Sequence, residues 1–100
     1  MRVVWAPRAI ARASAIARSI AAERPGSAGP WVEDLFALAA NLRRHPRVRR
    51  KVPEAGRDEL REVLRGRYRL IYRIEPRRLV VLTVRHGRRQ WDPSEVAPDE

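Results

Sequence analysis

The hydrophobic rhythm of this chain changes midway, from apolar positions every three to four residues to apolar positions every second residue. The first spacing is that of a helix burying one face, and the second is that of a half-buried strand. Residues 3–5, Val-Val-Trp, form a short β run. Pro7 then opens a helix, because proline lacks only an N–H that would be unpaired in a first turn. Along residues 8–22 the set Ile10, Ala13, Ile16, Ala17 and Ile20 falls on one helical face. Residues 23–29, ERPGSAG, are structure breakers and read as a loop. A second helix is predicted from Pro30, with Glu33 and Asp34 in its first turn, where carboxylates complement the macrodipole. It carries two apolar stripes, Trp31, Leu35, Leu38 and Leu42 beside Val32, Phe36 and Ala39, and it stops at His45-Pro46. So wide a face predicts contact with both the first helix and a sheet, or with a partner chain.

Residues 47–59 have no regular period and read as an irregular connection. From 60 to 64 the chain alternates, with Leu60, Glu62 and Leu64 on one side and Arg61 and Val63 on the other. After a turn at Arg65-Gly66-Arg67, residues 68–75 place Tyr68, Leu70, Tyr72 and Ile74 on one face and Arg69, Ile71 and Arg73 on the other. Pro76-Arg77-Arg78 turns the chain into residues 79–86, which are apolar on both faces, as a central strand requires. A three-strand meander is the simplest pairing. The predicted class is α+β: an N-terminal strand, then a two-helix hairpin packed on a twisted, mainly antiparallel sheet, in the order β-α-α-β-β-β.

One hundred residues at 44% hydrophobic content predict one domain, assigned to residues 1–91, with 92–100 as an acidic, flexible tail. Charge adds a sharper feature. Lys and Arg number 22 against 12 acids, a net charge of +10. Residues 43–89 hold sixteen Arg and Lys51 against five acids, whereas residues 90–100 carry four acids and no cation. Such density predicts an anionic partner: nucleic acid, the ribosome, an acidic protein or a phospholipid surface. The competing reading is an arginine-rich surface with no partner. GC-rich codons would explain arginine over lysine, but not the excess over acids. Cysteine is absent, so disulfide and thiol chemistry are excluded. No apolar run approaches the ~20 residues that span a bilayer, so no insertion into a membrane is expected. Residues 1–22 are acid-free and alanine-rich like a transit peptide, yet the β run and Pro7 assign them to the fold, and a cytoplasmic location is expected.

The stretches VVWAPRA from Val3, VPE at 52–54, LREVLRGRYRLIYRI from Leu60 and VLTVRHGRR from Val81 resemble the RelE/ParE superfamily of type II toxin–antitoxin toxins. The likeness covers nearly the whole chain and implies the same β-α-α-β-β-β order. It implies one of two activities: ParE-like members poison DNA gyrase, and RelE-like members cleave mRNA in the ribosomal A site. Both kinds are neutralised by an antitoxin that wraps around the toxin, so a cognate antitoxin is the implied partner, with gyrase or ribosome and mRNA as target.

Cleavage by 2′-OH attack needs a base, an acid and cations on the phosphate. For the nuclease alternative the candidates are His86, which could shuttle a proton, with Arg61 and Arg69, which match positions the superfamily uses on its active sheet face. The RelE-like pattern has paired lysines before the second strand and a tyrosine after the last. Here those places hold Arg49, Arg50 and Lys51, and Trp91. Arginine is no base at neutral pH. The HGRR-W ending is closer to ParE-like members, which favours the gyrase-poisoning, non-enzymatic reading. Candidate target- or antitoxin-binding residues are Arg49, Arg50, Lys51, Arg61, Arg69, Arg73, Arg85, Arg88, Arg89 and Trp91, with the strand arginines expected on one exposed face. No metal-ligand spacing and no Gly-rich phosphate loop occur, so no metal and no cofactor are expected.

Overall fold

Tyr72, Ile71, Leu79, Val80 and Val81 are almost completely buried, and they lie on both faces of one sheet. The computed structural model describes residues 1–87 and 90–93. Its elements are β1 (Arg2–Trp5), α1 (Pro7–Glu23), a 3-10 turn (Pro25–Ser27), α2 (Ala28–Leu42), β2 (Leu60–Arg65), β3 (Tyr68–Ile74) and β4 (Arg78–His86). This is the expected β-α-α-β-β-β order in an α+β fold. The sheet runs β1-β4-β3-β2, with β1 parallel to β4 and the other pairs antiparallel. The two central strands are therefore β4 and β3.

The β2–β3 turn is a two-residue loop, Gly66-Arg67, between paired Arg65 and Tyr68. Gly66 takes φ of 58°, as the first central residue of a type II′ turn requires. That turn fixes the register, so Leu64 faces Arg69 and Glu62 faces Ile71. A register shift at Ile71/Tyr72 brings Leu82 and Thr83 into succession opposite the same stretch of β3.

One face is covered by the helices: Ala9, Ala13, Leu35, Leu38, Ala39 and Leu42 meet Val63, Leu70, Tyr72, Ile74, Leu79, Val81 and Val84. The alanines let α1 approach closely. Ala13 is buried as expected, whereas Ile10, expected beside it, is 43% exposed and Ala9 takes the buried place. Helix α2 begins two residues before Pro30, which leaves Glu33 and Asp34 beyond its first turn. Asp34 instead accepts from Arg65 Nη1 at 2.7 Å, tying α2 to the end of β2. Phe36 is 42% exposed and its ring lies 4.5 Å from that of Trp5.

The opposite face is covered too. Val52 of the 43–59 connection and Trp91 close over Leu60, Ile71, Val80 and Leu82, together with Ala6. The connection docks by pairing with the β2 edge: Glu62 N–H donates to the Arg50 carbonyl at 3.0 Å, and Val52 N–H donates to the Leu60 carbonyl at 3.0 Å. Burying both faces is what gives β4 its apolar character throughout.

Candidate functional site

Arg69 and Glu62 lie diagonally on adjacent strands of this second face, brought there by the hairpin register. The Arg69 side chain is 4% exposed. Its guanidinium forks onto Glu54, with Nη1 donating to Oε2 at 2.7 Å and Nη2 to Oε1 at 2.9 Å. Nε donates to Glu62 Oε1 at 3.1 Å, and Nη2 also meets that oxygen. Glu62 is fully buried and is held from its other side by Arg50. Glu54 in turn accepts from the Trp91 backbone N–H at 2.9 Å, which anchors the C-terminal segment. Two cations thus face two carboxylates, and the balance makes burial tolerable. Hydrogen bonds from Arg69 pull the Glu54 carboxyl down to about 2, against the opposing effect of burial. The Arg69 pKa is raised, chiefly by its hydrogen bonds with Glu54.

Arg61 is a second inward-facing cation, with its side chain 10% exposed. Its Nε donates to the Asp58 carbonyl at 2.8 Å, Nη1 to the carbonyls of Arg47 at 2.7 Å and Arg49 at 2.8 Å, and Nη2 to Asp58 Oδ1 at 2.6 Å. Arg61 therefore spools the connection around one fork. Tyr72 adds a further tie, its hydroxyl donating to the Pro46 carbonyl at 2.6 Å, and burial pushes that phenol up to about 12. Arg73 donates to Glu75 at 2.8 Å, and Arg78 donates to the same carboxylate at 2.6 Å.

These pairings correct the expected exposed face of strand arginines. Arg61, Arg69 and Arg73 turn onto the protein's own carboxylates and carbonyls, because a guanidinium on a covered sheet face must have its donors satisfied. Trp91, a candidate target- or antitoxin-binding residue, is 2% exposed and acts as an apolar plug. Sequence reasoning missed Glu54, Glu62 and Asp58 as the counter-charges. The signal was present in the two-residue turn, which puts Glu62 beside Arg69, and in the doubly apolar β4, which implies a cover on each face.

What remains outward-facing gathers at two ends. At the N-terminal end of β4, Arg2 N–H donates to the Arg77 carbonyl at 3.3 Å, and a recess is lined by Met1, Arg44, His45, Arg47, Val48 and Pro76. Arg49, Arg50 and Lys51 follow on the exposed connection. Arg50 meets Glu62, Lys51 lies 3.8 Å from Asp58, and Arg49 makes no ion pair among the described residues. At the other end of β4, His86 stands opposite Tyr68 with ring centroids 6.0 Å apart, and Arg85 stands opposite Arg69. Both line a groove with Arg12, Ile16 and Ser19 of α1. Arg88 and Arg89 lie outside the described residues, as does residues 94–100 of the acidic tail.

For phosphate chemistry this geometry is poor. Arg61 and Arg69, the two cations the nuclease alternative needs, have their donors engaged internally, and His86 lies at the strand end of a different surface groove. Among the described residues no group of three His, Asp or Glu is placed to hold a metal, and no helix is long and apolar enough to cross a membrane.

No curated protein matches the chain. A solved structure titled "Chromosomal ParDE TA system from P. aeruginosa" has the same fold, with a TM-score of 0.72 over 86% of this chain and 95% of that one, at 18% identity. The family described as "ParE toxin of type II toxin-antitoxin system, parDE" matches residues 3–91, from the first strand through the buried tryptophan that closes the second face. This chain is a member of the ParE toxin family.

Proposed function

We propose that the protein is the growth-inhibiting toxin of a type II module, that it acts by binding DNA gyrase rather than by catalysis, and that a cognate antitoxin silences it in the cytoplasm. The observation that carries the choice of target is the internal pairing of Arg61 and Arg69. A ribonuclease site needs those guanidiniums free to meet a pentavalent phosphate, whereas a binding toxin needs them only to shape its surface. Membership of the ParE family supports the same reading. The exposed Ile10 and Phe36 on the helical hairpin suit apolar anchors of an antitoxin, and its acids would complement the surrounding arginines.

Induced expression in cells carrying a DNA-damage reporter and a translation reporter tests the assignment. The expected result is growth arrest with the damage reporter switched on, translation continuing at first, and rescue by a co-expressed cognate antitoxin. Arrest with immediate loss of translation and an inert damage reporter would overturn it.

A further inference from the structure

Exposed arginines with no ion pair among the described residues occur along α1 and its C-terminal cap (Arg12, Arg18, Arg24) and also at one end of the sheet. Arg44 and Arg49 lie on the chain leaving α2, residues 44–48 of which share a recess with Met1 and Pro76, and the neighbours of those two, Arg2 and Arg77, are joined by the backbone contact between β1 and the β3–β4 turn. All four are exposed and none makes an ion pair among the described residues. The acids in the neighbourhood are already engaged: Asp58 by Arg47 and Arg61, and Glu75 by Arg73 and Arg78. That end of the sheet is therefore a surface of uncompensated cations. Below it, Arg61 holds the carbonyls of Arg47 and Arg49, which fixes the loop's shape.

Two kinds of anionic partner could meet such a surface. A protein interface needs a desolvated apolar centre. Among the described residues the large exposed apolar side chains at this end are Val48 and Met1, while Ile10, Phe36 and Leu64 lie elsewhere. Phosphate contacts need no such centre, and planar guanidinium forks suit them. We infer that this basic end docks on the phosphate backbone of duplex DNA, so that the toxin grips the DNA held by its target as well as the target itself. The inference rests on the gyrase reading for its setting, but the binding it describes is a property of the toxin alone.

Fluorescence anisotropy with the purified toxin and a labelled duplex of arbitrary sequence tests it. Each phosphate-neutralising cation contributes a slope of about −0.9 to the dependence of log affinity on log salt. The triple variant Arg44→Gln, Arg49→Gln, Arg77→Gln is compared with Arg12→Gln, Arg18→Gln, Arg24→Gln, which removes equal charge from α1 and its C-terminal cap. The expected result is that the first set flattens the slope by about 2.7, while the second leaves it within about one. Equal effects from both sets would mean bulk charge and no built surface, and would overturn the inference. So would absence of duplex binding at low salt, or binding only to an acidic protein such as the antitoxin. DNA binding that persists while gyrase is untouched would refute the target assignment and leave this inference standing.

Discussion

Replacing Arg69 by methionine would strip the second face of its central cation. Among the described residues Glu62, fully buried, would keep Arg50, and Glu54 would keep its own backbone N–H, the Trp91 N–H and limited water at 18% side-chain exposure. Breaking a buried ion pair from one side costs about 3–5 kcal/mol. For a domain of this length that is a fall in Tm of roughly 15–25 °C, out of a total stability of about 5–15 kcal/mol. Glu62→Leu alone should cost less, about 1.5–3 kcal/mol, since Arg69 keeps its fork on Glu54. The double variant Arg69→Met with Glu62→Leu removes both charges and refills the face with apolar volume. It should recover at least ~1.5 kcal/mol relative to the sum of the single changes. Urea unfolding followed by circular dichroism, with m-values checked for constancy, measures all three. Single effects that add within about 0.5 kcal/mol, or an Arg69→Met loss under about 1 kcal/mol, would refute the picture of a coupled buried network.

Acid sensitivity follows from Glu54, whose carboxyl is lowered from 4.5 to about 2 in the fold. Its contribution is complete above pH 4.5 and disappears as the pH falls toward 2, so Glu54→Gln should be less stable at pH 7 and flatter across that window in pH-dependent melting. Arg61→Lys keeps the charge but cannot span three carbonyls and a carboxylate, so trypsin should cut at residues 49–51 severalfold faster than in the wild type, as read by mass spectrometry. Tyr72→Phe leaves the Pro46 carbonyl without its donor and should cost about 1–2 kcal/mol in urea unfolding. In alkaline absorbance titration the same change should remove the phenol that ionises near 12.

Element order was legible because each half of the chain keeps one period, and the short turn at Gly66 pins the hairpin between β2 and β3. The expected face of helix α1 holds at Ala13 and Ile16 but not at Ile10, because alanine carries no strong hydrophobic signal: Ala9 takes the sheet side by fitting closely, which leaves Ile10 outside. The direction of the strand arginines was not legible from alternation, which says which residues share a face but not whether that face is wet. Glu54 lies fifteen positions from Arg69 and Trp91 a further twenty-two away, so their meeting depends on how an aperiodic connection folds back along the β2 edge. The charge surplus was visible in composition. Its division into buried, paired cations and an outward basic end required the coordinates.

The claim that most depends on this division is that the toxin acts on gyrase without a nuclease site. A supercoiling reaction with purified gyrase, relaxed plasmid, ATP and toxin, quenched with detergent and protease, tests it directly beside a translating-ribosome reaction scored for mRNA cuts. The expected outcome is lost supercoiling with accumulation of linear plasmid, and intact mRNA. Cut mRNA alongside normal supercoiling would contradict it.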